Sequence, residues 1–361
     1  MKILVIVPSI VKLSGVDYHR LYQPHRRMGE LFPDEVNVFI INEIDSPILG
    51  EMTQHEFFKQ FDLVVANRFI SKIGNGPVLI EKLKLANLPY VIDIDDDYRI
   101  PEWHVLNGIS SQGKHAQQIL DGINKATAVT TTHEYMVGTI KHESKQKNVY
   151  EIPNGIYPEE QFEVKPFYSK RVCFGWSGSV THFEDVLMLF DSLVPLYTNE
   201  DLQDKFKVVY GGYDGNDETS RALAGILTAK GKAKPDNFTI FPATDVKNYA
   251  RFYDNIHVSL IPLRENRFNK LKSNLKLIEA GFKKKAVICS DVYPYSPMLK
   301  HGKNCLVVKK RHDWYNHMVR LIKNPSMIKD LAEQLYEDVQ VQHIDIIAKK
   351  RFETYKLILN K

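Results

Sequence analysis

Two doubly wound α/β domains facing each other across a cleft are the fold that the sequence predicts, and three observations carry the prediction. Short β-branched runs alternate with amphipathic stretches along the first half of the chain. The same rhythm restarts after Lys170, beyond a segment with two prolines and an Asn-Gly pair. From Trp314 onward the pattern is almost entirely helical. Strand–helix alternation at this spacing builds a parallel sheet, because each crossover returns over the sheet and covers one of its faces. With 361 residues, 43% of them hydrophobic and 25% charged, the chain has apolar material for two cores and lacks the composition of a disordered protein.

The first strand is expected at residues 3–7, an apolar run that stops at Pro8 and is too short for the core of a secretory signal. Further strands are expected at 36–41, 63–66, 90–94, 128–131 and 149–152, with helices at 20–31, 76–86 and 113–125 between them. The segment Ile152-Pro153-Asn154-Gly155-Ile156-Tyr157-Pro158 then breaks the pattern. The first domain is therefore expected at 1–158, and the polar stretch 159–169 reads as a linker. The second domain, 170–335, is expected to hold strands at 172–176, 207–210, 238–241, 257–262, 286–289 and 305–308, with helices near 185–197 and 273–282. Residues 336–361 read as a closing helix that returns toward the first domain. In open parallel sheets ligands bind beyond the carboxyl ends of the strands, so two such sheets can share one cleft.

Composition narrows the function classes. No stretch approaches the ~18 consecutive apolar residues of a spanning helix. A formal net charge of +4 does not by itself point to nucleic acid. The basic runs at 230–234, 283–285 and 309–312 read either as solvated loop ends or as surfaces attracted to anionic lipid or phosphate-bearing substrates. Cys173, Cys289 and Cys305 sit in apolar runs at wide spacing, which suits buried, reduced thiols and a cytosolic setting.

The most informative stretch runs from Phe268 to Gly281. Leu271, Leu275, Ile278 and Phe282 recur at helical spacing and are expected on one apolar face, with Lys272, Lys276 and Glu279 beside it. Ser273 is the expected N-cap, so Lys276 falls in the first turn and Lys272 just before it. Two lysines there oppose the helix dipole unless an anion is bound where they and the free amides converge. The other reading is a solvated face with a Lys276–Glu279 pair.

The run Lys272-Ser273-x-x-Lys276-x-x-Glu279-Ala280-Gly281, followed by Ala286-Val287-Ile288-Cys289-Ser290-Asp291, resembles the donor-site signature of family 4 glycosyltransferases. Phe174-Gly175-Trp176-Ser177-Gly178-Ser179, Ile152-Pro153-Asn154-Gly155 and His301-Gly302-Lys303-Asn304 extend the resemblance. The first of the family's two glutamates falls on Leu271, which is a departure. The resemblance implies the GT-B architecture of two Rossmann-like domains. It also implies metal-independent transfer, with retention, from a nucleotide-diphosphate sugar to a glycan, lipid-linked or other hydroxyl acceptor. The nucleotide sugar would be a co-substrate, and no cofactor is expected. Glu279 would accept bonds from the ribose hydroxyls, and the amides of Ser273, Asn274 and Leu275 would cradle the diphosphate. Lys272 or Lys276 would supply the cation that stabilises the leaving diphosphate. Ser177, Gly178 and Ser179 could approach phosphate through a glycine turn or form an ordinary strand-to-helix turn, and Thr244 falls where the family lines the base.

On the first domain, Asp95-Asp96-Asp97 follows a strand and admits three readings: a metal site, acceptor recognition or an Asp-rich turn. The expectation is that Asp95 and Asp97 face the acceptor or sugar without a metal, with Arg68 as a partner of the cluster. Gly15, His19 and His104 are candidates for the same side, His19 and His104 also reading as structural histidines near strand ends. A sugar-nucleotide epimerase or hydrolase on the same scaffold, and a non-catalytic nucleotide-sugar-binding protein, are the alternative functions. The expected partners are a nucleotide-sugar donor and a glycan or lipid-linked acceptor, with no nucleic acid. A cytoplasmic location with peripheral contact at the inner membrane face completes the reading.

Overall fold

The computed structural model describes residues 1–7, 13–42, 55–68, 76–104 and 112–360. Six parallel strands, β1 (Lys2–Val7), β2 (Asn37–Asn42), β3 (Leu63–Asn67), β4 (Tyr90–Ile94), β5 (Ala128–Thr131) and β6 (Val149–Glu151), pair in the order β2-β1-β3-β4-β5-β6. A second parallel sheet contains β7 (Val172–Ser177), β8 (Phe206–Tyr213), β9 (Phe238–Pro242), β10 (Val258–Ile261), β11 (Ala286–Ser290) and β12 (Leu306–Val308), in the order β12-β11-β10-β7-β8-β9. All twelve expected strands form. Each sheet is doubly wound, and its strand order reverses beside β1 in the first domain and between β7 and β10 in the second. Those reversals open crevices at the carboxyl ends of the strands.

Alternate residues of each central strand feed two cores, as the two-residue period of a strand buried on both faces requires. In β1, Leu4 and Ile6 join one apolar cluster while Ile3, Val5 and Val7 join the other. In β7, Phe174 and Trp176 face one core and Cys173 the opposite one. The helix expected at 20–31 starts earlier, because Asp17–Tyr22 forms a π-helical turn that runs into the α-helix Gln23–Leu31. Asp17 in that turn is buried and accepts a bond from the Asn67 amide at 2.9 Å, which anchors the turn to the end of β3.

The chain crosses between the domains twice, and the crossings are bound together. Ile156 N–H donates to the Gln342 carbonyl at 3.0 Å and the Ile156 carbonyl accepts from Ile344 N–H at 2.8 Å. A Cβ on Gly155 would lie 2.9 Å from Ile344 and 3.1 Å from Ile347, so only a glycine lets the two segments close up here. The helix Ser326–Val339 packs on the second domain and ends in the turn Gln340–Gln342. The helix Ile344–Leu359 then packs on Gln23–Leu31, and its Ala348, Phe352, Tyr355 and Ile358 complete the first domain's core.

A buried ion cluster locks that closing helix. Arg20 holds Asp93 through two bonds of 2.8 and 2.9 Å, Arg351 approaches the same carboxylate at 3.5 Å, and Thr130 donates to it at 2.6 Å. Burial alone would raise the Asp93 carboxyl; the two guanidiniums, Arg20 first, outweigh it and hold the group below its ordinary value. Asp93→Ala would leave two buried guanidiniums without a counter-charge, an arrangement that costs about 3–5 kcal/mol. Urea denaturation should show a loss of that size. A loss below ~1 kcal/mol, the scale of a surface pair, would contradict the cluster's role.

Candidate functional site

Beyond β10 the chain forms the short helix Arg267–Lys270 and then Leu275–Phe282. Two expectations about this stretch are corrected, and the alternative reading of its lysine face is set aside. Ser273 is not the cap: the helix starts at Leu275 with Asn274 as N-cap, and the Asn274 side chain turns away and donates to the Gln342 side-chain Oε1 at 3.0 Å. The amides of Ser273, Asn274, Leu275 and Lys276 consequently donate to no acceptor among the described residues, the open condition of a helix start. Leu271 is not on the helix's apolar face, since it precedes the helix and inserts into the first domain's core. Nor is the Lys276–Glu279 face solvated, because Glu279 is 5% exposed and the Lys276 ammonium is turned inward.

A cavity of about 260 Å³ opens at this helix start, between the carboxyl ends of β4 and β7. Asp95 and Asp96 wall it from the first domain; Ser177, Gly178, His182, Lys272, Ser273, Leu275, Lys276 and Glu279 wall it from the second, with Tyr249, Tyr253 and Tyr295. Lys276 donates to the Ser177 carbonyl and lies 5.7 Å from the centroid of the Trp176 ring. Burial pulls its ammonium down to about 8. A Cβ on Gly178 would stand 2.8 Å from the Lys276 Nζ and 3.0 Å from the Trp176 ring, so a side chain there would displace the ammonium from its place. Lys272 crosses the cleft to Asp96 at 3.2 Å, 4.7 Å from the Phe268 ring centroid.

Glu279 is held by two phenols. Tyr253 donates to Oε2 at 2.8 Å and Tyr249 donates to Oε1. Burial raises the Glu279 carboxyl above its ordinary value, against the Tyr249 bond and the Lys276 charge, which lower it. The Tyr249 hydroxyl in turn meets His19 Nε2 at 2.9 Å. Since Tyr249 spends its proton on Glu279, His19 is the donor and its Nδ1 is the bare nitrogen, which is buried with no hydrogen-bond partner among the described residues. The π-helical turn Asp17–Tyr22 of the first domain is thereby tied to the carboxylate of the second.

The structure thus brings Lys272, Ser273, Leu275, Lys276, Glu279, Ser177, Gly178 and Asp95 to one cavity, with Asn274 beside it. The rest of the expected set lies elsewhere. Ser179 and Gly15 are exposed and outside the lining, and Thr244 is exposed in the loop after β9. Asp97 is corrected: it turns to Arg267 at 3.0 Å and the Arg99 amide at 3.1 Å, while its neighbour Asp96 faces the cavity. Arg68 stands 3.9 Å from Asp95, and burial pushes the Asp95 carboxyl up to about 6. His104 packs on Phe268 with ring centroids 5.1 Å apart, outside the lining. Asp95, Asp96 and Asp97 each face a different cation, and among the described residues no group of three or more His, Cys, Asp or Glu side chains could hold a metal.

Sequence reasoning missed Asp96, His182, Tyr249, Tyr253 and Tyr295. Tyr249 and Tyr253 are four residues apart and share one face of the turn Tyr249–Asn255, a spacing that could have flagged them as a pair. A larger cavity of about 690 Å³ lies beyond β11 and β12 and shares no residue with the cleft. It is walled by Lys309, Lys310 and Arg311 against Glu184, Glu265 and Asp291, without the buried, inward-turned groups found at Lys276 and Glu279.

No protein-family model matches the chain, and no curated protein matches it in sequence. Solved structures do match its fold. Sucrose-phosphate synthase from Thermosynechococcus elongatus superposes with a TM-score of 0.73 at 14% identity, covering 100% of this chain and 99% of the other. A glycosyltransferase from Rickettsia africae gives 0.66 at 15% identity, with coverage of 100% and 99%. HepE from Anabaena, solved in complex with UDP and glucose, gives 0.68 at 13% identity, with 99% of each chain covered. At such identities the likeness is one of fold, and the two facing Rossmann-like domains are those of the GT-B architecture. Among the described residues no helix is long and apolar enough to cross a membrane.

Proposed function

We propose that this protein is a glycosyltransferase that moves a sugar from a nucleoside diphosphate to a hydroxyl acceptor. One observation carries the reading: unbonded helix-start amides, the Lys272 and Lys276 ammonium groups and the buried Glu279 carboxylate converge on one cavity between the domains. That combination offers cations and N–H donors to a diphosphate and an acceptor carboxylate to a ribose. Two solved structures of the same fold, one named as a glycosyltransferase and the other, HepE, holding UDP and glucose, support it and make UDP the first nucleotide to test.

In this reading Lys276 and the amides of Ser273 to Leu275 stabilise the charge that builds on the diphosphate as its bond to the anomeric carbon breaks. Asp95 and Asp96, on the opposite wall, face the sugar and acceptor. Retention of anomeric configuration and a glycan or lipid-linked acceptor are the finer parts of the proposal, together with peripheral membrane contact and a cytoplasmic location. Incubation of UDP-sugars with candidate acceptors should release UDP only when an acceptor is present. Epimerised donor, or binding without turnover, would overturn transfer. The lysines do the work of a metal in this account, so EDTA should leave the rate unchanged. Abolition by EDTA and rescue by Mg²⁺ would instead assign the phosphate charge to a cation held by Asp95 and Asp96.

The pH dependence follows from Lys276. Its ammonium pKa, lowered to about 8 in the free protein, lies below the ordinary lysine value, so the site is charged below that pH and discharges above it. A diphosphate selects the charged form. UDP affinity should be flat below pH 8, with little proton uptake, and fall by up to about tenfold per unit above it, where binding takes up nearly one proton. Calorimetry in buffers of different ionisation enthalpy measures that uptake. Lys276→Met should abolish it, and an unchanged proton count in the variant would assign the titration to another group.

A further inference from the structure

A separate cavity of about 400 Å³ lies at the amino ends of β7, β10 and β11, the side of the second domain opposite the cleft. Seven lysines and arginines line it. Lys283, Lys284 and Arg171 pair with Asp254, Glu333 and Asp236, while Lys165, Lys170, Lys285 and Lys329 have no ion pair among the described residues and leave it a positive excess. The three consecutive lysines before β11 are disposed very differently. Lys283 donates to Asp254 at 2.8 Å and to the Glu163 carbonyl at 2.9 Å, and Lys284 pairs with Glu333 at 2.8 Å. Lys285 is 6% exposed, and its ammonium makes no hydrogen bond or ion pair among the described residues. Its ammonium stands 5.8 Å from the Phe167 ring centroid, and the carboxylate that acts on it, Asp254, is committed to Lys283.

A buried ammonium that no anion pairs directly is costly, and burial pulls Lys285 down to about 8, against the charge of Asp254, which raises it but is itself paired with Lys283. His257, also in the wall, accepts from the Cys173 amide through Nδ1 at 3.0 Å, which leaves Nε2–H as a neutral donor. Phe167, Ile256 and Ile328 supply an apolar wall, and beside it Tyr168 is 90% and Val164 42% exposed. We propose that this cavity is a binding site for a phosphate monoester carried on an apolar body, with the Lys285 ammonium as its central cation. A phosphate dianion suits the excess of uncompensated charge better than a carboxylate, and the apolar wall receives the rest of the ligand. Two sources share this chemistry: a soluble phosphate ester, and a lipid phosphate headgroup whose chains lie along Tyr168 and Val164.

The test uses the full chain and two probes, phenyl phosphate by calorimetry and co-sedimentation with phosphatidylcholine vesicles with or without phosphatidic acid. Lys285→Met keeps the side-chain length and removes the charge, and it should weaken binding of the responding probe about tenfold or more, the worth of a charged hydrogen bond. Lys276→Met, in the cleft, should leave that binding unchanged, whereas UDP binding should survive Lys285→Met; the two sites therefore stand or fall separately. Saturable binding of phenyl phosphate without vesicle binding assigns the soluble source. Capture by phosphatidic acid vesicles without phenyl phosphate binding assigns the lipid. Reductive methylation of native Lys285, followed by peptide mass spectrometry, needs no variant and should slow when the probe is bound. Equal binding by native protein and Lys285→Met, no binding of either probe, or unprotected methylation would overturn the proposal.

Discussion

Glu279→Gln is expected to weaken UDP binding about 10- to 150-fold, because a ribose held by a carboxylate loses charge-assisted hydrogen bonds worth roughly 1.5–3 kcal/mol. The structure sharpens this expectation. Tyr249 and Tyr253 each donate to one carboxylate oxygen, so they orient Glu279 and leave one lone pair on each oxygen for the ribose hydroxyls. Gln conserves the shape but puts an NH₂ against one of two phenols that are donors. Glu279→Ala is the poorer test, since it strands two buried hydroxyls and should also destabilise the fold by a few kcal/mol. Titrating native protein and Glu279→Gln with UDP and 2′-deoxy-UDP closes a cycle. The two losses should overlap, because the deleted partners are the same. Simple addition of the losses would mean that Glu279 does not touch the ribose.

Lys276→Met should lower turnover by about 10²- to 10³-fold, the scale of removing one donor to the charge of a transition state. The free variant should melt at or above the native temperature. A lysine whose folded pKa, about 8, lies below its unfolded value carries a cost that is fully present at neutral pH and disappears as pH rises toward the unfolded value. Removing the charge removes that cost. A variant that melts lower and keeps full activity would make Lys276 a structural residue tied to Ser177. Lys272 differs, because its ion pair with Asp96 joins the domains and its loss should also loosen the cleft.

The strands were legible because parallel strands buried on both faces are continuous apolar runs, such as Ile3 to Val7 and Ala286 to Cys289. The helix that carries Lys276 and Glu279 was legible from its spacing, but its start was not. Ser273 is the better N-cap by type, and the cap passed to Asn274 because Leu271 is drawn into the other domain's core. Whether Asp96 or Asp97 faces the cleft depends on where Arg267 arrives from a distant helix, which no local pattern encodes. Tyr249 and Tyr253 belong to the site only through their meeting with Glu279, about thirty residues onward. Long-range hydrogen bonds of this kind leave no periodicity in a sequence.

The central claim is that a nucleoside diphosphate lies in the cleft at the start of Leu275–Phe282, and a crystal structure of the complex with UDP tests it most directly. The ribose hydroxyls should lie within hydrogen-bond distance of the Glu279 carboxylate, with the diphosphate on the amides of Ser273 to Leu275 and the Lys276 ammonium. UDP bound instead against Lys309, Lys310 and Arg311, or at Lys285, with Glu279 still held only by its two tyrosines, would contradict it.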